Sequence, residues 1–243
     1  MKKTTLLTLL LTCFAFSLSA QLWLEVGGKA MFGLTGYLNS NIANDNSHEY
    51  QLNTAISYGG VVGLNIGDYS GINIEALFTK HQQDIIFLDN LLGENLTNSL
   101  EWDALDLYLL YRFYTPGGAY FELGPKMTTV REIDQTFGPT RLEDIDSKYE
   151  DAYYSAVAGL GSFLFGSEVS TFKIGMRLEY ALTDLVSDEG EKDGFPAYYR
   201  PYDSYKPTNP FRATLYLELS FGVGGIAKST CGRRGFVFGS RYQ

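Results

Sequence analysis

The chain has 243 residues, of which 45% are hydrophobic, 15% aromatic and 19% charged. This composition excludes a disordered tail, a collagen-like fibre and a small disulfide scaffold. Nineteen Lys and Arg residues against 28 Asp and Glu residues give a formal net charge of −9, the wrong sign for a protein that binds nucleic acid by neutralising phosphates. The 18 Tyr and 26 Gly residues, beside only 7 Pro residues, favour extended segments with tight turns and indicate an all-β protein.

The first 20 residues have the pattern of a secretory signal peptide. Two lysines follow the first Met, an apolar run extends from Leu6 to Leu18, and Ala20 ends the segment with a small residue. We therefore expect 1–20 to be an export signal. Its removal leaves Cys231 as the single cysteine of the mature chain, which excludes an intrachain disulfide.

Apolar and polar residues then alternate with a period of two, which places successive side chains on opposite faces of a strand. The segment 171–182 is the clearest case, with Phe172 and Ile174 on one face and Lys173 and Arg177 on the other. The pattern predicts eight strands, in chain order 22–34, 54–66, 71–82, 100–114, 119–131, 152–165 (apolar on both faces), 171–182 and 209–221.

The connections between these predicted strands alternate in length. Three are tight turns, at 67–70, 115–118 and 166–170, and four are long loops, at 37–53, 88–99, 132–151 and 183–208. Short turns at one end and long loops at the other are typical of an outer-membrane β-barrel with both termini on the periplasmic side. The longest apolar run after the signal is too short for a membrane-spanning helix.

Aromatic residues lie on the apolar face near the short turns, where an interfacial girdle is expected. They are Tyr111, Phe113, Phe121, Phe172 and Phe221. A soluble sandwich would bury this apolar face, which the girdle and the loop alternation disfavour. The sequence thus predicts an eight-stranded antiparallel up-and-down transmembrane β-barrel over 21–221, located in the outer membrane.

The opposite face of the predicted strands carries six acidic and six basic side chains, which we expect to form a charge network inside the barrel. An eight-stranded barrel is just wide enough to be filled by its own side chains, so we expect these charges to be structural. The predicted lumen residues are Glu25, Lys29, Glu75, Asp106, Arg112, Glu122, Lys126, Lys173, Arg177, Glu179, Arg212 and Glu218.

Short runs of the chain are similar to a known family. The signal ends in Ala20-Gln21, and the runs are LLYRF at 109–113, YFELGP at 120–125 and LYLELSFG at 215–222. With these runs the chain resembles the eight-stranded outer-membrane β-barrel domain of the Bacteroidota type, which comprises PorT-like and OmpA-like small barrels and includes secretion accessory proteins. The resemblance covers about 21–225 and implies a barrel fold rather than a particular activity.

Two features depart from a simple barrel. Pro125 lies inside a predicted strand, where it removes a ladder hydrogen bond, so we expect a bulge or a local bend there. The tail 222–243 continues past the aromatic Phe221 and contains Lys and Arg but no Asp or Glu. We expect this basic tail to lie in the periplasm, either disordered or in contact with anionic headgroups or a partner.

The sequence predicts no catalytic, cofactor or metal site. Asp144, Asp146 and Glu150 fail the calcium-loop pattern because Lys148 interrupts them and the turn glycine is missing. His48 and His81 would be the candidates in a lipid-modifying enzyme. Ser47 adjoins His48 and Asp84 follows His81, but neither pair has the spacing of a catalytic triad.

The loop 183–208 contains aromatic residues, an Arg and prolines, and side chains of this kind are common in interface hot spots. The candidate partner-binding residues are Tyr198, Tyr199, Arg200, Tyr202 and Tyr205. We therefore expect a nonenzymatic structural or accessory subunit of an outer-membrane assembly, such as a secretion or barrel-assembly complex. The expected partners are outer-membrane lipid, lipopolysaccharide and proteins of such a complex. The alternatives are a lipid-modifying enzyme and a surface binding module that acts through its long loops.

Overall fold

The computed structural model describes residues 22–88, 95–166, 170–197 and 202–225. Two short helices, α1 (Ser40–Asn44) and α2 (Asp188–Lys192), lie in the connections, with a 3-10 turn at Asp146–Lys148. The strands are β1 (Leu22–Asn39), β2 (His48–Tyr50), β3 (Asn53–Ile66), β4 (Ser70–Leu88), β5 (Asn95–Tyr114), β6 (Ala119–Phe137), β7 (Thr140–Arg141), β8 (Ala152–Gly166), β9 (Ser170–Ala181) and β10 (Thr208–Gly225).

Eight long strands close into a ring in the order β1, β3, β4, β5, β6, β8, β9 and β10, and every neighbouring pair is antiparallel. The pairing of β1 with β10, with Lys29 opposite Glu218, closes the ring. These are the eight strands predicted from the alternation, so the predicted barrel fold is confirmed. None of the helices among the described residues is long and apolar enough to cross a membrane.

Several strands extend further at the long-loop end than the alternation predicts. β4 continues to Leu88, β5 begins at Asn95 and β6 continues to Phe137, so parts of the predicted long loops 88–99 and 132–151 are strand. Along β4 the outward face changes from apolar, at Ile74 and Phe78, to polar at Lys80, Gln82 and Asp84, while Ile85 and Phe87 are buried on the inward face. The simple alternation of an apolar outer face with a polar inner face therefore ends near Lys80, which hides the continuation of the strand from a pattern search.

The outer wall carries two aromatic zones. The predicted girdle residues are exposed or half-buried at the short-turn end, and Phe172 is joined there by Phe165, whose ring centroid lies 4.8 Å away. A second set is exposed towards the long-loop end and consists of Tyr58, Phe78, Tyr154 and Tyr180. An apolar wall between two aromatic belts is the surface that a bilayer requires of a barrel.

The structure shows no bulge at Pro125, but the ladder between β5 and β6 is interrupted beside it. The β5–β6 register runs from Tyr108–Lys126 to Tyr111–Leu123 without a shift, although the positions between these pairs are not paired. The shift between these two strands lies instead at Asp103/Ala104. Pro125 is tolerated because its strand keeps its register with β8 through the pair Pro125–Ala156.

Gly33 occupies a place in β1 where the neighbouring backbone approaches closely. A Cβ atom added there would lie 2.1 Å from the carbonyl oxygen of Ala213 and 2.5 Å from Cα of Thr214. We expect Gly33→Ala to impair folding, because the obstructing atoms are backbone and cannot move without shifting β10. The extent of folding is measured as the fraction of protein that stays folded in SDS when the sample is not heated. Gly60→Ala is the control, since its nearest atom would be 3.9 Å away, and equal folding of the two variants would contradict the prediction.

Candidate functional site

The interior nearest the short turns is filled by ion pairs centred on two arginines. Arg112 binds Glu218 at 3.0 and 2.6 Å through its two terminal nitrogens and donates its Nε–H to Glu122 at 2.9 Å. Arg177 donates its Nε–H to the other oxygen of Glu122 at 2.8 Å and contacts Glu75 at 3.0 Å. Both guanidinium groups are fully buried. Glu122 thus joins the two arginines into one network.

Two lysines extend this network around the ring. Lys29 Nζ lies 2.5 Å from Glu75 and 3.0 Å from Glu218. Lys173 Nζ lies 2.6 Å from Glu25 and 2.8 Å from Glu218. With the arginines, four basic and four acidic side chains form a neutral cluster, as a buried ionic site requires.

A second, smaller cluster lies further from the short turns. Arg212 contacts Asp106 at 2.9 Å, and Lys126 contacts Glu179 at 2.7 Å and Asp106 at 3.5 Å. The hydroxyl of Tyr108 donates to Glu179 at 3.1 Å. Two acids again meet two bases, so all twelve sequence-predicted lumen residues lie inside the barrel in two neutral clusters.

Above the charges, the interior contains a large apolar cluster, with buried polar side chains such as Gln83 and Gln135 lying among its members, and the sequence analysis did not predict this cluster. Trp102 lies at the base of this region and stacks on His81 with ring centroids 4.7 Å apart and planes 5° from parallel. We call the region the plug, and its buried members are Tyr37, Ile42, Ile85, Leu100, Trp102, Ala104, Ile133, Ile145, Tyr149, Tyr153, Ala181, Leu185, Val186, Phe195 and Ala197. The sequence does contain one indication of this cluster. Ile85 in β4 and Leu100 in β5 occupy positions that the alternation assigns to the inward face of each strand.

The long connections fold over the plug and form a cap, which we define as the described residues of 40–52, 138–151 and 182–207. Tyr149 bridges to Val186 in an antiparallel backbone pair, and the amide of Glu150 donates to Leu185 at 2.8 Å. The carbonyl of Pro196 accepts from Asn98 at 2.9 Å and from Gln135 at 3.0 Å. Hydrogen bonds therefore connect the segments of the cap to one another and to the barrel wall.

Lys148 joins two acidic parts of the cap. Its Nζ lies 2.5 Å from Glu189 and 2.7 Å from Asp193, so the residue that interrupts the calcium pattern has carboxylate partners of its own. The hydrogen bonds to Asp193 and Glu189 raise the pKa of Lys148, and the bond from Lys148 lowers the pKa of Glu189. Among the described residues no group of three or more His, Cys, Asp or Glu side chains is placed to hold a metal ion.

We expect acid to loosen this contact. Because the folded pKa of Glu189 lies below the ordinary value of 4.5, its contribution is present above that pH and is lost as the pH falls through the folded pKa. Hydrogen exchange of 187–194, corrected for the intrinsic pH dependence, should then accelerate below about pH 4. Glu189→Gln should remove most of this acid response and Glu150→Gln should leave it; an identical response in both variants would refute the assignment.

The candidate partner-binding residues divide into two groups. Tyr198, Tyr199 and Arg200 lie outside the described residues. The hydroxyl of Tyr202 donates to Asp45 at 3.1 Å, and that of Tyr205 donates to Asp184 at 2.6 Å. Burial and the Asp184 carboxylate raise the pKa of Tyr205, so its hydroxyl stays protonated and keeps this bond.

These two tyrosines border a surface cleft of about 240 Å³ in the cap. The cleft lies between α1 and the turn that follows α2, and the amide of Asn41 crosses its edge to donate to the carbonyl of Ser204 at 2.7 Å. No local pattern in the sequence predicts this cleft, because its lining comes from segments about 150 residues apart.

The two histidines are held in separate surroundings. His48 lies in β2, with Nδ1 3.3 Å from Asp45 and its ring 5.3 Å from that of Phe87. His81 points into the barrel, where its Nδ1 is 3.1 Å from the hydroxyl of Thr35, whereas Asp84 lies on the opposite face of β4. Of the neighbours examined in the sequence, Asp84 therefore points away from His81, and the amide of Ser47 donates to Asp45, the carboxylate beside His48.

Comparison with solved structures found similarity to several bacterial proteins at low sequence identity. OprG from Pseudomonas aeruginosa is 14% identical over 84% of this chain and 96% of its own, with a TM-score of 0.46. Neisserial surface protein A is 10% identical over 80% and 95%, with a TM-score of 0.42. Ail of Yersinia pestis is 10% identical over 83% and 99%, with a TM-score of 0.34. No curated protein matches the chain in sequence.

The model of one family, the outer membrane protein beta-barrel domain, matches residues 5–208 of the chain. That range includes seven of the eight ring strands, from β1 to β9, and the first residue of β10. The closed antiparallel ring, the lipid-compatible wall and this match lead to one conclusion: the chain belongs to the outer membrane protein beta-barrel domain family and is an outer-membrane protein.

Proposed function

We propose that this chain is a nonenzymatic, non-conducting outer-membrane barrel that serves as a structural or accessory subunit of an outer-membrane assembly, such as a secretion or barrel-assembly complex. The observation that carries the proposal is the filled interior, with two ionic clusters below and the plug above. Because buried charged and apolar side chains pack the described interior, the outer wall and the cap are the surfaces left for contact with other molecules.

Two further points support this proposal. The runs at 109–113, 120–125 and 215–222 resemble the Bacteroidota-type small barrels, which include PorT-like secretion accessory barrels. The surroundings of His81 favour a nonenzymatic role, because its ring is fully buried and stacked on Trp102. The apolar wall between two aromatic belts supports outer-membrane lipid, including lipopolysaccharide, as its immediate surroundings.

The experiment is a pulldown from native membranes in mild detergent, through a tag placed after Gln243, with copurifying proteins identified by mass spectrometry. We expect an outer-membrane protein in stoichiometric amount. A matched preparation from a strain with another tagged small barrel identifies the proteins that copurify with any barrel. Recovery of the chain alone, at several detergent concentrations, would overturn the accessory role.

A second candidate function is a surface binding module that acts through its loops. The cleft in the cap favours this function, since small ligands bind in concave, largely pre-formed sites. The test replaces the cap segment 188–205 with a short turn and measures binding of cells that display the protein to an array of immobilised glycans and purified proteins. Loss of one specific interaction would support the module, and unchanged binding to the whole array would reject it.

A further inference from the structure

The cleft in the cap has an apolar floor and a polar rim. Its floor is formed by Ile42, Phe195 and Ala197, which are all buried members of the plug. The rim carries Glu191 and Asp203, both exposed. A ligand that fits this arrangement must present an apolar face inwards and polar groups outwards.

The rim is rich in hydrogen-bond acceptors. Within the described part of the chain, the side chains of Glu191, Lys192 and Asp203 make no hydrogen bond or ion pair. Asn41 uses its amide N–H on Ser204, which leaves its oxygen to accept.

Acceptors around a small apolar floor match a ligand with many O–H donors and a face of C–H groups. Lys192 supplies a single donor at the same rim. The volume of about 240 Å³ is below the range of about 300–1,000 Å³ that is usual for drug-sized ligands, so the cleft would hold one ring rather than an extended chain.

We propose that this cleft is a binding site for a single saccharide ring of a surface glycan, bound with its C–H face towards the floor of Ile42, Phe195 and Ala197 and its hydroxyls donating to Glu191, Asp203 and Asn41. The proposal rests on the surface binding module described above and specifies the class of its ligand. It involves only binding and no chemical step.

The test uses the full chain in a phosphocholine detergent, because glycoside detergents carry sugars of their own. The probes are glucose, galactose, mannose and N-acetylglucosamine at millimolar concentration, observed by saturation-transfer NMR. We expect transfer to at least one sugar. The double variant Glu191→Ala/Asp203→Ala should weaken its binding at least tenfold, since it removes two acceptors.

The matched control is Glu143→Ala/Glu150→Ala, which makes the same change in charge on exposed cap residues outside the cleft. It should bind the sugar as the unaltered protein does. No transfer to any of the four sugars, or equal weakening in both double variants, would overturn the proposal. Binding of spermidine but of no sugar would also overturn it, because the rim would then be selecting positive charge.

The outcomes separate this proposal from the function on which it rests. If the loop replacement abolishes a specific interaction while the four sugars fail to bind, the binding module stands and its ligand is of another class. If the loop replacement has no effect and the sugars also fail, both are rejected.

Discussion

Replacing Arg177 with Met should lower the free energy of unfolding by about 3–5 kcal/mol, the cost that is typical when one partner of a buried ion pair is removed. Arg177 is fully buried and contacts both Glu75 and Glu122, so the substitution leaves two carboxylates with fewer positive partners inside the barrel. Urea unfolding in lipid vesicles, followed by the loss of the SDS-resistant folded form, measures the change.

Two variants serve as controls for this prediction. Arg141→Met removes an exposed pair with Asp134 and should change stability little, because exposed ion pairs contribute little. Arg177→Met/Glu75→Gln removes one acid together with the base and should recover part of the lost stability. A loss no larger than that of Arg141→Met, or a double variant that is less stable than Arg177→Met, would show that charge balance does not stabilise this interior.

The second large effect is expected from Trp102→Ala in the plug. The indole is buried, with 1% of its surface exposed, and packs flat against His81. Truncation removes this contact and leaves a cavity, for which a loss of about 3–5 kcal/mol is usual. The same unfolding measurement applies.

Leu52→Ala is the matched control for the plug, because Leu52 is a large apolar residue that is 76% exposed. It should leave stability nearly unchanged. If Trp102→Ala is as mild as Leu52→Ala, the plug is not a packed core, and the inference that the barrel is closed at its outer end fails with it.

Much of the barrel could be predicted because a strand displays its two faces with a period of two. The lumen residues followed from the same rule, since in a lipid-facing barrel the polar residues must point inwards. Lys173 and Arg177, for example, lie on the face of β9 opposite Phe172 and Ile174, and the structure buries both of these basic residues. The local periodicity of the sequence was therefore sufficient to predict the fold and the face of each strand on which the charges lie.

The plug and the cleft could not be predicted for a physical reason. Beyond Phe78 the outward face of β4 becomes polar at Lys80, Gln82 and Asp84, while Ile85 and Phe87 are buried on the inward face. The pattern that marks the lower part of the strand therefore ends before the strand does. The contacts that close the cap, such as Tyr149 with Val186, join segments that no local pattern relates. The contact of Lys148 with Glu189 and Asp193 likewise joins two separate connections.

The ionic clusters also bear on how the chain folds. Arg112 and Glu218 are 106 residues apart, Arg177 and Glu75 are 102 apart, and Lys173 and Glu25 are 148 apart. Neutralisation of the interior therefore requires strands from the beginning and the end of the chain at the same time. An incomplete sheet would present unpaired charges to the hydrocarbon, at a high energetic cost. Closure of the ring and entry into the bilayer should consequently be one cooperative event, and partly inserted intermediates should be too unstable to accumulate.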